Sequence, residues 1–184
     1  MKPIICSLLF ALALCPALAH ANDKWTDARL VTLVHHVNQE EIAAGKLAQE
    51  KGSSQEIKDY GRKLVSDHTR LDQDVLAAAT KVGLRPNDSE LSTQDKETMR
   101  VDKRKMEQIR RLSGSEFDKA FAQEMSRDHD HMISMLRDAK KQVSAPIREL
   151  IDSTIPVLQE HKDLADKAVK SDASRARTPK PLKR

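Results

Sequence analysis

His68, His129 and His161 are the residues of this chain whose types and spacing could do chemistry. Each lies near the middle of a long stretch in which apolar or small residues recur every three or four positions. In "LVSDHTRLDQDV", residues 64–75, Leu64, Leu71 and Val75 fall on one helical stripe, and His68 stands where a leucine would be ordinary. Glu41 interrupts a fourth stripe, that of Leu30, Val34, Val37, Ala44 and Ala48, in the same way. An unpaired polar group in a core costs about 1–3 kcal/mol, and an unpaired charge more. One such histidine is commonly neutral and bonded to a carbonyl. Four titratable groups, one per helix, imply a shared polar centre: either a hydrogen-bonded network or a metal site. Three imidazoles with Glu41 as a fourth ligand suit a single Zn, Cu, Ni or Fe ion.

An acid precedes each histidine: Asp67, Asp128 and Glu160. Neighbours in sequence do not face each other on a helix. These acids therefore either orient a histidine on another helix, as outer partners of metal ligands do, or stand as solvated flank charges. Asp118 also falls on a stripe, but in the first turn of its helix, where a cap or dipole role suffices. His35 and His131 read as surface residues, and His36 lies one residue off its seam.

Heights along the helices rank these candidates. The turn near residues 144–145 puts His129 and His161 within one residue of the same level, or about 1.5 Å. The turn near 52–53 leaves Glu41 and His68 four residues apart, or about 6 Å. The His129–His161 pair is thus the firmer expectation. Pro156 precedes His161 by about one turn and should bend its helix, either as a tolerated kink or so as to aim His161 inward.

The elements that must position these groups are all helical. Gly52, Gly83 and Gly114 mark joints, Ser53 and Glu56 have capping-box spacing, and Ser144-Ala145-Pro146 reads as a cap with proline in the first turn. No alternating strand pattern competes. The sequence predicts helices over about 26–50, 54–82, 91–112, 115–142 and 146–170. Short turns make helices 1–2 and 4–5 antiparallel hairpins. Helix 3 is highly charged, with Met99, Met106 and Ile109 as its chief apolar anchors, and reads as a crossover. The expected fold is all-α: a ferritin-like antiparallel four-helix bundle of helices 1, 2, 4 and 5 with helix 3 crossing between the hairpins.

The ends read differently from the middle. Residues 1–21, "MKPIICSLLFALALCPALAHA", have a basic start, a short apolar run and small residues at cleavage spacing, the pattern of a cleaved signal peptide. Leu14 before Cys15 is too bulky for the usual lipid-attachment box. Both cysteines, Cys6 and Cys15, fall in this segment, so the mature chain is expected to hold no disulfide. An exported, periplasmic location follows as the expectation. The net charge of +4 is misleading. Residues 171–184 carry five basic side chains against Asp172, and Lys2 leaves with the signal, so residues 22–170 come to −1. That places the basic excess in a tail expected to be disordered, suited to weak contact with anionic envelope polymers. A nucleic-acid surface on the folded domain is not expected.

"EEIAAGKLAQEKGSSQEIKDYGRKLVSDHT", "GSEFDKAFAQEMSRDH" and "STIPVLQEH" resemble an uncharacterised family of bacterial exported proteins with a ferritin-like four-helix fold. Members of this domain-of-unknown-function family are often labelled outer-membrane proteins. The resemblance covers about residues 26–168, with Phe121 where the family usually has tyrosine. Carried over position by position, its recurring polar residues are Glu41, Asp67, His68, Asp118, His129 and His161. It implies the fold and brings no established activity. The Glu-x-x-His pair of a ferritin-type di-iron centre is absent, because Val65, Ser126 and Leu158 stand three before the histidines. Ferroxidase or iron-storage chemistry is therefore not expected.

Three readings remain open: a periplasmic metal-binding bundle, a non-enzymatic envelope or stress protein with a structural histidine network, and a pH-responsive helper. No nucleophile–base pair is visible by spacing, and there is no phosphate loop or dinucleotide fingerprint, so an enzyme is the less favoured class.

Overall fold

The computed structural model describes residues 24–177. Residues 1–23, which include the segment expected to be a signal peptide, and residues 178–184 of the expected tail lie outside the described residues. The chain forms α1 (Asp27–Lys51), α2 (Gln55–Lys81), a short 3-10 turn (Asp88–Glu90), α3 (Thr93–Arg110), α4 (Gly114–Ala139) and α5 (Ala145–Arg177). Among the described residues there is no strand, and no helix is long and apolar enough to cross a membrane.

The helices begin and end for local reasons. Thr26 accepts from Arg29 N at 3.1 Å and caps α1. Ser92 and Asp95 form a reciprocal capping box on α3. Gly83, at φ +72°, closes α2, with Gly83 N bonded to Thr80 O and Leu84 N to Ala79 O. Three sequence expectations are corrected. The cap of α2 is Ser54, one residue later than predicted, because Ser53 is held by Asp118 instead. The last turn predicted for α4 tightens after Ala139 into a connection closed by Lys141 N→Asp138 O and Gln142 N→Ala139 O. Finally, α5 continues beyond 170 to Arg177, since "SDASRAR" holds no helix breaker before Pro179.

As the turn lengths predicted, α1 pairs with α2 and α4 with α5, and α2 packs on α5 to join the hairpins. This is an all-helical bundle, with α3 as the crossover. Gly45 and Gly61 make the first hairpin tight. A Cβ on Gly61 would meet Gly45 O at 2.6 Å, and one on Gly45 would meet Gly61 O at 2.7 Å. By contrast, α1 and α4 meet only sparsely, and α3 lies over the gap. A buried bidentate pair, Arg29 Nε to Asp95 Oδ2 at 2.7 Å and Nη2 to Oδ1 at 2.9 Å, pins α3 to α1.

The apolar core divides in two. One cluster contains Leu30, Val34, Val75, Leu136, Ile151 and Leu158; the other contains Leu47, Ile57, Leu64, Phe117, Phe121 and Ala165. The three histidines occupy the level between them. His68 follows Leu64, His129 follows Met125, and His161 follows Leu158, each by one helical step.

Candidate metal centre

His68 from α2, His129 from α4 and His161 from α5 are all buried, at 1%, 2% and 0% exposure. Their ring centroids stand 5.1–5.7 Å apart. One ring nitrogen from each lies within 4.8 Å of the others. The sequence thus identified three residues that the fold brings to one point.

Hydrogen bonding fixes which nitrogens are open. His129 Nδ1 lies 2.8 Å from the Met125 carbonyl, which can only accept, so Nδ1 carries the proton and Nε2 a lone pair. His161 Nε2 lies 2.9 Å from Asp67 Oδ2 and donates to it. That leaves a lone pair on His161 Nδ1, which faces His129 Nε2 at 3.2 Å. His68 Nδ1 donates to Asn38 Oδ1 at 2.9 Å, and its Nε2 is buried without a hydrogen-bond partner. Three neutral imidazoles therefore hold three uncommitted lone pairs, on His68 Nε2, His129 Nε2 and His161 Nδ1. Two lone pairs at 3.2 Å repel unless a cation or an added proton lies between them. Metal–nitrogen bonds of about 2.0–2.1 Å set neighbouring nitrogens of a tetrahedral site about 3.3 Å apart.

The electrostatics favour neutral rings. Burial pulls all three histidines below their ordinary pKa, His129 to about 3, and the neighbouring rings add to the effect at His68 and His129. For His161, burial is opposed by the bond to Asp67. Burial acts to raise the Asp67 carboxyl, but its bonds to His161 and Lys63 outweigh this and hold it below the usual range.

The other predicted residues divide. Asp67 acts across helices, as one alternative required. Glu160 does not reach a histidine; it pairs with Lys63 at 3.0 Å, and Lys63 in turn reaches Asp67 at 3.1 Å. Asp128 does not join the ring nitrogens but clusters with the carboxylates of Asp102 and Glu124. Burial, then repulsion from Glu124 and Asp102, raises it to about 7. Asp118 accepts from Ser53 N, Ser53 Oγ and Ser54 N, each at 2.8 Å, and so ties α4 to the α1–α2 turn well away from the histidines. Glu41 does not join the cluster of ring nitrogens, in keeping with its height offset. It is buried with Oε2 lacking a hydrogen-bond partner, and burial, then Asp128, raises its pKa to about 8. His131 is exposed as expected, whereas His35 is half-buried and bonded to Asp72 at 2.7 Å.

Two residues were missed. Asn38 is the α1 residue that serves the centre. It lies as far before Ser53 as His68 lies after it, and steps of four and three connect it to Val34 and Glu41, so the same periodicity would have admitted it. Tyr60 packs edge-on to His161 at 6.4 Å, with its buried Oη without a hydrogen-bond partner. Pro156 sits inside α5 at an exposed position, five residues before His161.

A cavity of about 530 Å³ fills the gap between α1 and α4 beneath α3 and reaches Glu41, His68, Asp128 and His129. Its size falls in the range of small-ligand sites. No curated protein and no solved structure matches the chain. The family described as "Domain of unknown function (DUF4142)" matches over residues 13–168, and the chain belongs to that family.

Proposed function

We propose that this protein is an exported metal-binding bundle in which His68, His129 and His161 hold one transition-metal ion. The observation that carries the reading is the set of three uncommitted imidazole lone pairs on a buried level between two apolar clusters. The opposite nitrogen of each ring is held by an oxygen: the Asn38 amide, the Met125 carbonyl or the Asp67 carboxylate. Such outer bonds fix ring orientation and tautomer in metal sites. The fourth position is open to water or a further ligand, and Zn, Cu, Ni and Fe all accept imidazole. Glu41, in the adjoining cavity with its pKa raised to about 8, is a carboxyl that holds its proton near neutral pH rather than a fourth ligand.

A second reading draws on the same 3.2 Å pair. A single proton on His161 Nδ1 would let that ring donate to both His129 and Asp67, giving a closed structural network with no metal. In this reading the protein is an envelope-interaction protein whose basic tail contacts anionic polymer.

Elemental analysis of the mature protein, exported and purified without tag or chelator, separates the two. The metal reading requires close to one ion per chain, lost in a His129→Ala/His161→Ala variant that still melts cooperatively. Absence of metal, with a melting temperature unmoved by added Zn, Cu, Ni or Fe, would leave the network reading.

A further inference from the structure

Apart from Met1, every methionine of the chain lines one cavity: Met99 and Met106 from α3, and Met125, Met132 and Met135 from α4. Met125 is buried, and the other four are half-buried on the cavity wall. At the inner end of the same cavity stand His68 and His129, and His68 Nε2 has no hydrogen-bond partner. Met125 precedes His129 by one turn and supplies the carbonyl that orients it. Leucine would fill apolar wall positions equally well. The thioether differs by offering a soft, uncharged donor of the kind that selects monovalent copper.

We propose that this cavity is the access route for Cu(I), in which the thioethers capture the ion and pass it to the three histidines. The proposal rests on the metal reading above and narrows its ion. The thioether donors come from α3 and α4, and His68 and His129 line the same cavity. Transfer is ligand exchange alone: thioether–copper bonds are replaced by imidazole–copper bonds, with copper remaining Cu(I) and no proton moved, because the accepting nitrogens already carry lone pairs.

The test uses the mature chain under anaerobic conditions. Cu(I) is supplied from a coloured competing chelator, and Zn(II) is titrated in parallel. A Met99→Leu/Met106→Leu/Met132→Leu/Met135→Leu variant, near-isosteric and checked for cooperative melting, is compared with the native chain. The expected result is Cu(I) uptake slowed, or weakened, by about tenfold or more in the variant, with Zn(II) affinity unchanged. Native-like Cu(I) uptake by the variant would overturn the methionine route while leaving the histidine site standing. Zn(II) binding without Cu(I) binding in the native chain would do the same. Binding of neither ion by the native chain would overturn both.

Discussion

Asn38 Oδ1 on α1 lies 2.9 Å from Nδ1 of His68 on α2, and this bond leaves His68 Nε2 as a buried, uncommitted lone pair. The close crossing of Gly45 and Gly61 lets the two helices approach near enough for the short Asn side chain to reach. An Asn38→Leu variant should fold, since the site is buried among helices and leucine is apolar. It frees the tautomer of His68. Metal affinity, read by competition titration, should fall about 10–100-fold, the usual cost of losing an outer partner. Unchanged affinity would show that His68 does not bind through Nε2.

Replacing Gly61 with alanine puts a Cβ at 2.6 Å from Gly45 O and 2.8 Å from Ala48 Cβ, a backbone clash that no side-chain rotation relieves. Overpacking of this kind costs about 1–3 kcal/mol. Chemical denaturation should show that loss with little change in slope. A variant as stable as the native chain would mean that the hairpin opens without penalty.

Tyr60→Phe should be nearly neutral for stability, within about 0.5 kcal/mol, or slightly stabilising. Its Oη is buried and makes no hydrogen bond, so removing it leaves no partner behind. A loss above about 1 kcal/mol in urea unfolding would reveal a bonded hydroxyl.

The metal-free protein should be most stable near neutral or slightly acid pH. The folded pKa of Glu41 is raised from 4.5 to about 8, so the folded chain holds a proton that the unfolded chain releases. Its contribution is complete below about 4.5 and is lost as pH rises through about 8. The histidines have the opposite sign. Their folded pKa values lie below 6.5, so their contribution is present above 6.5 and declines as pH falls. Thermal melts across this range should pass through a maximum, and Glu41→Gln should flatten the alkaline side. An unaltered alkaline limb in that variant would refute the role given to Glu41.

The helices were legible because their apolar steps of three and four repeat over many turns. His129 and His161 were legible as a pair because a short turn fixes their relative height. The first hairpin was harder to read. Steps of three and four from Val34 reach either Val37 or Asn38, and only the packing of α1 on α2 selects Asn38 as the inward residue. Asp67, Asp128 and Glu160 look alike in sequence, each preceding a histidine. They diverge because their helices sit at different corners: Asp67 faces α5, Asp128 faces α3, and Glu160 faces solvent and Lys63. The cavity could not be read at all, since it comes from the spacing between α1 and α4 rather than from any one stretch.

The central claim concerns three ring nitrogens, and two-bond proton–nitrogen NMR of the labelled protein reads them directly. Without metal, His68 Nε2, His129 Nε2 and His161 Nδ1 should all be unprotonated, and the opposite nitrogens should carry the protons. Addition of Zn(II) or, anaerobically, Cu(I) should then shift those three nitrogens and no other ring nitrogen by a comparable amount. A proton on His161 Nδ1 that persists in the presence of either ion would contradict the account and leave a closed histidine–aspartate network in its place.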